Sequence, residues 1–560
     1  MEYTVLSPRG DVDPIKTTAL QPRVKDLNKA TIGLYATFKE HWPIILEEIG
    51  KQIKEKYPGV KFTSYQYKED LNAHTQVAEL SRDKRYRPEF EEWLKQCDAV
   101  IVGNADAGSC TLYLTYNTTF VEHMGKPVVM TVYSDFIHLA KRAAELRGVP
   151  ALRLVKLNLV DIYMEPDLTK FIETIIPQRV SEALDDIIAA LTKPLTTEEK
   201  SVPAPAENTP RIAAKGTIEE INKFFYQKAW SYGMPVLPPT EEAVNEMLRG
   251  NDLPADYVVA KIPPMMGKAT VEKIAVNAVM AGCLPTYMPV LIAGVEAMVD
   301  PHMWLEAYTC SVASWAPMMI VNGRVRKDLN INSSTGPLSP YRKANAAIAH
   351  AMGLIIMNIA GIKSGREDMA IFGHEGRFGI CFAENEEESP WEPLHVHYGL
   401  KKNDSAITVS WPNTRAFDIV PEDINAVMKV ICEMIPAFGF DPGCTMIVTS
   451  ELAQFLQKNG YSRKDVLSYI IEYARRPATN VNIRWMIGNQ HKPKNVPLPL
   501  DPTRSVRKFW SDMHIPVVVA GKNNLAVCFY GGGGDHGGPI TKKIDLPKDW
   551  DKLVAQYKDY

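Results

Sequence analysis

A single thiol, Cys110, closes the run Asp98-Ala-Val-Ile-Val-Gly-Asn-Ala-Asp-Ala-Gly-Ser-Cys110, in which an apolar stretch gives way to small residues and then to sulfur. Ala99 to Val102 is short and β-branched, the pattern of a strand buried on both faces of a parallel sheet. Gly103, Ala105, Ala107 and Gly108 are too small to block a ligand, so Asn104, Asp106, Gly108 and Ser109 are candidate binding residues. The helix that follows is predicted to begin near Thr111, capped by Ser109 or Thr111. A helix N-terminus carries unpaired N–H donors and a partial positive charge, so a thiol there has its reactive thiolate form favoured. Packing as a small buried hydrophobe is the other use of such a cysteine.

A second set of candidates lies between residues 322 and 400. Asn332, Ser333 and Ser334 belong to a Ser/Thr/Gly loop that runs past Arg342 and Asn345 into a helix over 346–358, a pattern that suits a carboxylate or phosphate oxygen. The loop lacks the Gly-Lys-Ser/Thr ending of a P-loop, and a polar turn with ordinary capping reads the same way. Next come His374 and Arg377, then Cys381-Phe-Ala-Glu384-Asn385, of which His374, Glu384 and Asn385 are expected to turn inward and Glu386 to Glu388 to form a solvated acidic loop. His395 and His397 are two apart; on a strand they would point the same way and, with His374 or a glutamate, offer three metal ligands, although no fixed metal spacing is present. Cys283 and Tyr287 sit where Pro285 and Pro289 break and restart a helix, leaving backbone groups free to meet a ligand. His536 stands in a loop with six glycines, which reads as a lid or as a flexible turn.

Short apolar runs alternate with amphipathic stretches from residue 30 to 192: strands near 31–38, 60–67, 99–102, 127–133 and 152–160, helices near 43–56, 88–96, 111–124, 136–147 and 168–191. That alternation predicts a doubly wound α/β domain with a mostly parallel sheet, whose ligands bind outside the carboxyl ends of the strands. Four prolines among charged residues between Lys193 and Pro210 mark a linker. The chain therefore divides into a Rossmann-like or flavodoxin-like domain over 1–192, a linker over 193–212 and a larger α+β domain over 213–560, in which Thr240 caps a helix opened by Glu241 and Glu242.

At 560 residues one hydrophobic core does not suffice. With 46% hydrophobic and 23% charged residues and a formal net charge of -3, no basic field exists to hold nucleic acid. No apolar run approaches the roughly 18–20 residues that span a bilayer, and the first residues lack a signal-peptide pattern, so the expected location is cytoplasmic and a membrane is not an expected partner. Eight cysteines form no Cys-x-x-Cys pair and no zinc spacing, and read as reduced thiols. No cofactor is indicated, the expected partner is a small-molecule substrate, and a homo-oligomer is open.

The segment Gly103-Asn-Ala-Asp-Ala-Gly-Ser-Cys110 resembles the signature of the UGSC family of (seleno)proteins, in which Sec or Cys precedes Gly-Ser-Cys after a strand ending Gly-x-x-Asp. The resemblance extends over Gly125 to Phe136, Arg9-Gly-Asp-Val-Asp13 and Leu27 to Leu34. The family is in turn similar to selenoprotein B of the glycine and betaine reductases. The second half resembles the domain found fused to, or encoded beside, UGSC domains, through its Cys283-Leu-Pro turn, its Asn-Ser-x-x-Gly-x-Leu loop and its Ala383-Glu-Asn-Glu-Glu segment. Here position 107, the place of the family's first Sec or Cys, is alanine, which rules out a sulfur–sulfur or selenium–sulfur cycle within residues 107–110.

The resemblance implies a lyase or reductase-like enzyme attacking a carbon that bears nitrogen or sulfur, and Ala107 moves the expectation from net reduction toward cleavage or elimination. The leading reading is an enzyme with Cys110, His374 and Glu384 as catalytic residues, acting on a small anionic metabolite between the domains. The alternatives are a metal-dependent hydrolase or lyase in the C-terminal domain and a non-catalytic subunit that binds a ligand or a partner.

Overall fold

The computed structural model describes residues 1–36, 41–66, 87–105, 107–159, 168–201, 208–435, 443–477, 505–507, 515–532 and 537–558. Of the candidate site residues, Asp106 and His536 lie outside these, and Asn104 is described only as backbone.

Five strands form one parallel sheet: β2 (Thr31–Ala36), β3 (Lys61–Gln66), β4 (Ala99–Ala105), β5 (Val128–Val132) and β6 (Leu154–Lys156), in the order β3-β2-β4-β5-β6. Helices α1 (His41–Lys56) and α5 (Ile176–Thr192) cover one face, α3 (Gly108–His123) and α4 (Ile137–Leu146) the other, and α2 (Arg87–Lys95) reaches α3 through Phe90 and Phe120. This is the doubly wound arrangement expected from the alternating pattern. Its order reverses between β2 and β4, so the carboxyl ends of those strands mark the topological switch point. The last strand is only Leu154–Lys156, shorter than the apolar run from 152 to 160, although Leu157 N still donates to Val132 O of β5 at 3.0 Å.

One strand of the first 192 residues is spent elsewhere. β1 (Tyr3–Leu6) pairs antiparallel with β7 (Ile212–Gly216), after the proline-rich segment, and Val5 and Leu6 are buried in the core of the second half. Ser7 to Gly10 continue along the same surface: the Lys273 ammonium donates to Ser7 O at 2.8 Å and the Asn277 amide to Pro8 O at 3.0 Å.

The second half is built from α6 (Ile218–Gln227), α7 (Glu241–Leu248), the hairpin β8 (Val258–Ile262) and β9 (Gly267–Thr270), α8 (Val271–Met280), α9 (Met288–Met298) and α10 (Leu305–Cys310). Thr240 caps α7 by accepting from Ala243 N, as its sequence implies. β10 (Met318–Asn322), α11 (Lys343–Asn358), β11 (Ile380–Ala383) and β12 (Ala406–Ser410) follow, then β13 (Thr414–Ile419), α12 (Ile424–Met434), β14 (Cys444–Val448), α13 (Ser450–Lys458), α14 (Arg463–Tyr473), β15 (Val517–Val519), β16 (Ala526–Gly531), β17 (Ile540–Lys543) and α15 (Trp550–Gln556). Two four-stranded mixed sheets result, ordered β11-β10-β12-β17 and β13-β16-β14-β15, with Met318, Ile320 and Phe382 of one meeting Ile447, Val518 and Tyr530 of the other.

The two halves share α3. Its Cys110, Leu114 and Val121 belong to the core of the parallel sheet, while Leu112, Tyr113 and Tyr116 belong to the core of the second half. That double duty explains a helix buried on nearly every face, with Thr111, Thr115, Thr118 and Thr119 satisfying their hydroxyls on carbonyls three or four residues back. Among the described residues no helix is long and apolar enough to cross a membrane.

Candidate functional site

Strand β4 delivers the chain to Ala107, whose extended backbone (φ -156°, ψ 159°) makes it the N-cap of α3 without a side-chain bond. The helix thus begins at Gly108, three residues earlier than expected from the sequence, and neither Ser109 nor Thr111 caps it. Thr111 instead sends both its N–H and its hydroxyl back to Ala107 O, each at 2.8 Å. Gly108, Ser109 and Cys110 are then the first three helical residues, the positions whose N–H groups have no acceptor within the helix and where its positive end lies.

Cys110 is 7% exposed, held in the first core with Trp304, Val312 and Met369 of the second half packed against that core. The approach is closest at Gly108, where an added Cβ would stand 1.8 Å from Cys310 O and 3.0 Å from the Met369 Cβ. Glycine here is a requirement of the contact between the halves rather than of backbone conformation. Nearby, the Tyr113 hydroxyl donates to Glu306 Oε2 at 3.5 Å and its ring lies 5.8 Å from that of Trp304. The Cys310 thiol is pushed up by burial, with the Thr309 side chain lowering it and Glu367, Glu306 and Asp368 raising it further, so it is a neutral packed thiol.

The same seam gathers positive charge. Arg366 donates to Glu367 Oε1 through Nε at 2.7 Å, and Arg142 Nε of α4 stands 3.8 Å from that oxygen. Arg9 reaches the group from the amino-terminal segment: burial lowers its pKa first, and the charges of Arg366 and Arg142 lower it further. Lys363 is lowered by burial and then by Arg366 and Arg9. Beside them Arg377 bonds Asp368 Oδ1 at 2.9 Å, and among the described residues its buried Nε and Nη1 have no hydrogen-bond partner. Among the described residues Arg377 is therefore the one expected binding residue of the second half that an ion pair ties to the seam.

The others serve different places. His374 accepts from Gly376 N through Nδ1 at 2.8 Å, capping a 3-10 turn over Glu375–Phe378. Arg377 O and Phe378 O in that turn lie over Gly353 of α11, eight residues and about 12 Å along the helix from Asn345. Asn345 is buried and organises the loop before it, accepting from Asn332 N and donating to Pro337 O and Cys381 O. Asn332 in turn accepts from Ser334 N, and Ser333 O accepts from Gly521 N. Arg342 is exposed. Cys283 is buried with its thiol on Ala347 O at 3.3 Å, and burial raises both it and Tyr287, which matches the packing use of that thiol.

Glu384 stands at the end of β11, fully buried and saturated: Arg463 of α14 donates to Oε1 at 2.9 Å, and Leu394 N and Asn322 Nδ2 each donate to Oε2 at 2.6 Å. Burial raises its pKa while Arg463 lowers it; the pairing of an ionised carboxylate with a guanidinium is the arrangement the geometry supports. It ties the sheet containing β10 and β11 to α14. The expected solvated acidic loop is likewise a set of ion pairs, Glu386 and Glu387 with Arg326 and Glu388 with Lys522, and Asn385 donates to Glu388.

The metal ligands expected from the sequence are not brought together. His395 and His397 lie on a short helix, Leu394–His397, where side chains two apart diverge, whereas a strand would align them. With Glu384 and His374 occupied as described, these residues do not converge, and among the described residues no group of three His, Cys, Asp or Glu side chains could hold a metal ion.

A parallel sheet in flavodoxin-like order, with a cysteine in the first helical turn at its switch point, defines the class of the first half. Residues 4–193, about a third of the chain, match the model of the UGSC family, so this portion is similar to that family. No curated protein matches the chain.

Sequence reasoning missed Arg9, Arg142, Lys363 and Arg366 as a group. They come from three distant segments, and the only local signal is the dense charge of Lys363-Ser-Gly-Arg-Glu-Asp368 straight after α11, which reads as an ordinary solvated turn.

Proposed function

We propose that the chain is an enzyme acting on a small anionic metabolite at the seam between two units, taken as residues 1–192 and 213–560 joined by the segment 193–212, with Cys110 as the reacting thiol. The observation that carries this reading is the position of Cys110 in the first turn of α3, at the carboxyl end of β4 and the switch point of the sheet, with the second half laid against the same turn. With alanine at 107 the motif carries one sulfur only, which favours elimination over net reduction. In that reaction the thiolate takes a proton from the substrate carbon next to the one bearing nitrogen or sulfur. The freed C–H pair becomes the new double bond, and the leaving group departs with its bonding pair and collects the proton. His374 and Glu384 are not proposed as catalysts of this reaction, because both spend acceptors on the fold. The likeness to selenoprotein B enters only as the source of the leaving-group chemistry.

The test is alkylation followed by mass spectrometry of all eight cysteines. Cys110 is expected to label before the other seven and, unlike a free thiol, to react faster with anionic iodoacetate than with iodoacetamide, a preference lost at high salt. Equal labelling across the eight would sink the thiol assignment. It would favour a second reading, a non-catalytic binding subunit, for which Ala107 and the burial of Cys110 speak.

A further inference from the structure

We infer that Arg9, Arg142, Arg366 and Lys363 form a binding site for a small polyanion, a group with two or more negative charges of the phosphate-ester or dicarboxylate kind. This deepens the reading above by naming the charge of the ligand, and rests on it in that respect alone, since the site is built from residues other than Cys110.

Charge balance is the first argument for an anion. Glu367 is buried and already divided between the Arg366 guanidinium, the Lys363 N–H and the more distant Arg142, while the charges of Arg9 and the Lys363 ammonium act on the same group without an ion pair to it. Arg142 has a further partner in Glu145, and the Lys363 ammonium donates to Lys228 O at 3.1 Å. Among the described residues Arg9 has no carboxylate in contact, and the one acceptor of its guanidinium is the Met265 sulfur at 3.7 Å, a weak one. Like charges brought together in a partly buried place repel strongly, and a fold tolerates this where an anion offsets it.

Unmet donors are the second. Among the described residues the buried Nε of Arg9 and of Arg142 have no hydrogen-bond partner, although guanidinium N–H groups taken from water normally find one. Solvent access remains, since the Arg366 side chain is 43% exposed and that of Arg142 27%. Assembly is the third argument: Arg142 comes from the parallel-sheet half, Arg9 from the strand-bearing amino terminus, and Lys363 and Arg366 from the turn after α11. An anion bound here would touch all three segments, and planar guanidiniums suit the paired oxygens of a carboxylate or phosphate.

Isothermal titration of the full chain at fixed ionic strength tests this, with inorganic phosphate and malonate as probes and acetate and chloride as comparisons. Saturable binding of phosphate, malonate or both is expected, and the stronger of the two names the ligand kind. Arg9→Gln should weaken it about tenfold or more, and Arg366→Gln, at a half-exposed position where the amide can still donate to Glu367, should do the same, with an unchanged circular-dichroism spectrum and Tm showing that each variant is folded. Lys51→Gln on the far helix α1 should not. Binding no better than acetate, or unchanged in Arg366→Gln, overturns the proposal. Cys110→Ser is expected to bind phosphate and malonate as the parent does, so slow labelling of Cys110 with intact polyanion binding would fell the thiol reading and leave this one standing.

Discussion

His374 accepts the Gly376 N–H through Nδ1, and only a ring nitrogen without a proton can do so. Burial lowers its pKa, with Glu375 raising and Arg377 lowering it in smaller measure, so the folded chain prefers the neutral ring. Its contribution to stability is therefore whole above the unfolded value of about 6.5 and is lost as pH falls through that value toward the lower folded one. Melting curves between about pH 8 and pH 5 should show a steeper loss for the parent than for His374→Asn, which keeps an acceptor and removes the titration. Parallel curves would place the acid sensitivity elsewhere. His374 and Glu384 were legible in the sequence as inward-turned polar residues, and so the structure holds them. What the sequence did not reveal is how completely local and cross-sheet partners occupy them, because Arg463 lies 79 residues from Glu384.

At the scale of elements, α3 is where the two halves meet, and Gly108 sets how closely. Alanine is the better helix former by up to about 1 kcal/mol, yet its methyl would fall 1.8 Å from a backbone carbonyl that cannot swing away. Gly108→Ala is expected to destabilise by roughly 1–3 kcal/mol, seen as a lower Tm, and a neutral or stabilising result would mean that this contact is open in solution. Most of the parallel-sheet half could be read from its alternation of apolar runs and amphipathic stretches, since each strand and helix there repeats its own period. The start of α3 is not legible because Ser109 and Thr111 both look like caps, whereas the N-cap is Ala107, whose side chain cannot accept a hydrogen bond. The helical turn holding His395 and His397 was misjudged because four residues are too few to show a period.

For the whole molecule, the shared helix and the exchanged strand predict that cutting the linker does not separate the halves. A protease site placed within residues 202–207 and cleaved should leave two fragments that co-elute in size-exclusion chromatography, held by the β1–β7 pairing and by Leu112, Tyr113 and Tyr116 in the second core. Fragments that part without denaturant would show two independent bodies. The prolines between residues 193 and 210 raise the expectation of a linker, but nothing in the sequence reveals the ownership of Tyr3–Leu6, since a four-residue apolar strand carries no mark of its partner. That ownership has a temporal side. During synthesis the strand leaves the ribosome first and its mate follows roughly 200 residues later, so the nascent chain must carry an unmatched edge through most of its early life. Slowing or halting translation between the two would then strand a finished sheet beside a sticky tail, the moment at which this chain is most exposed to pairing with a neighbour.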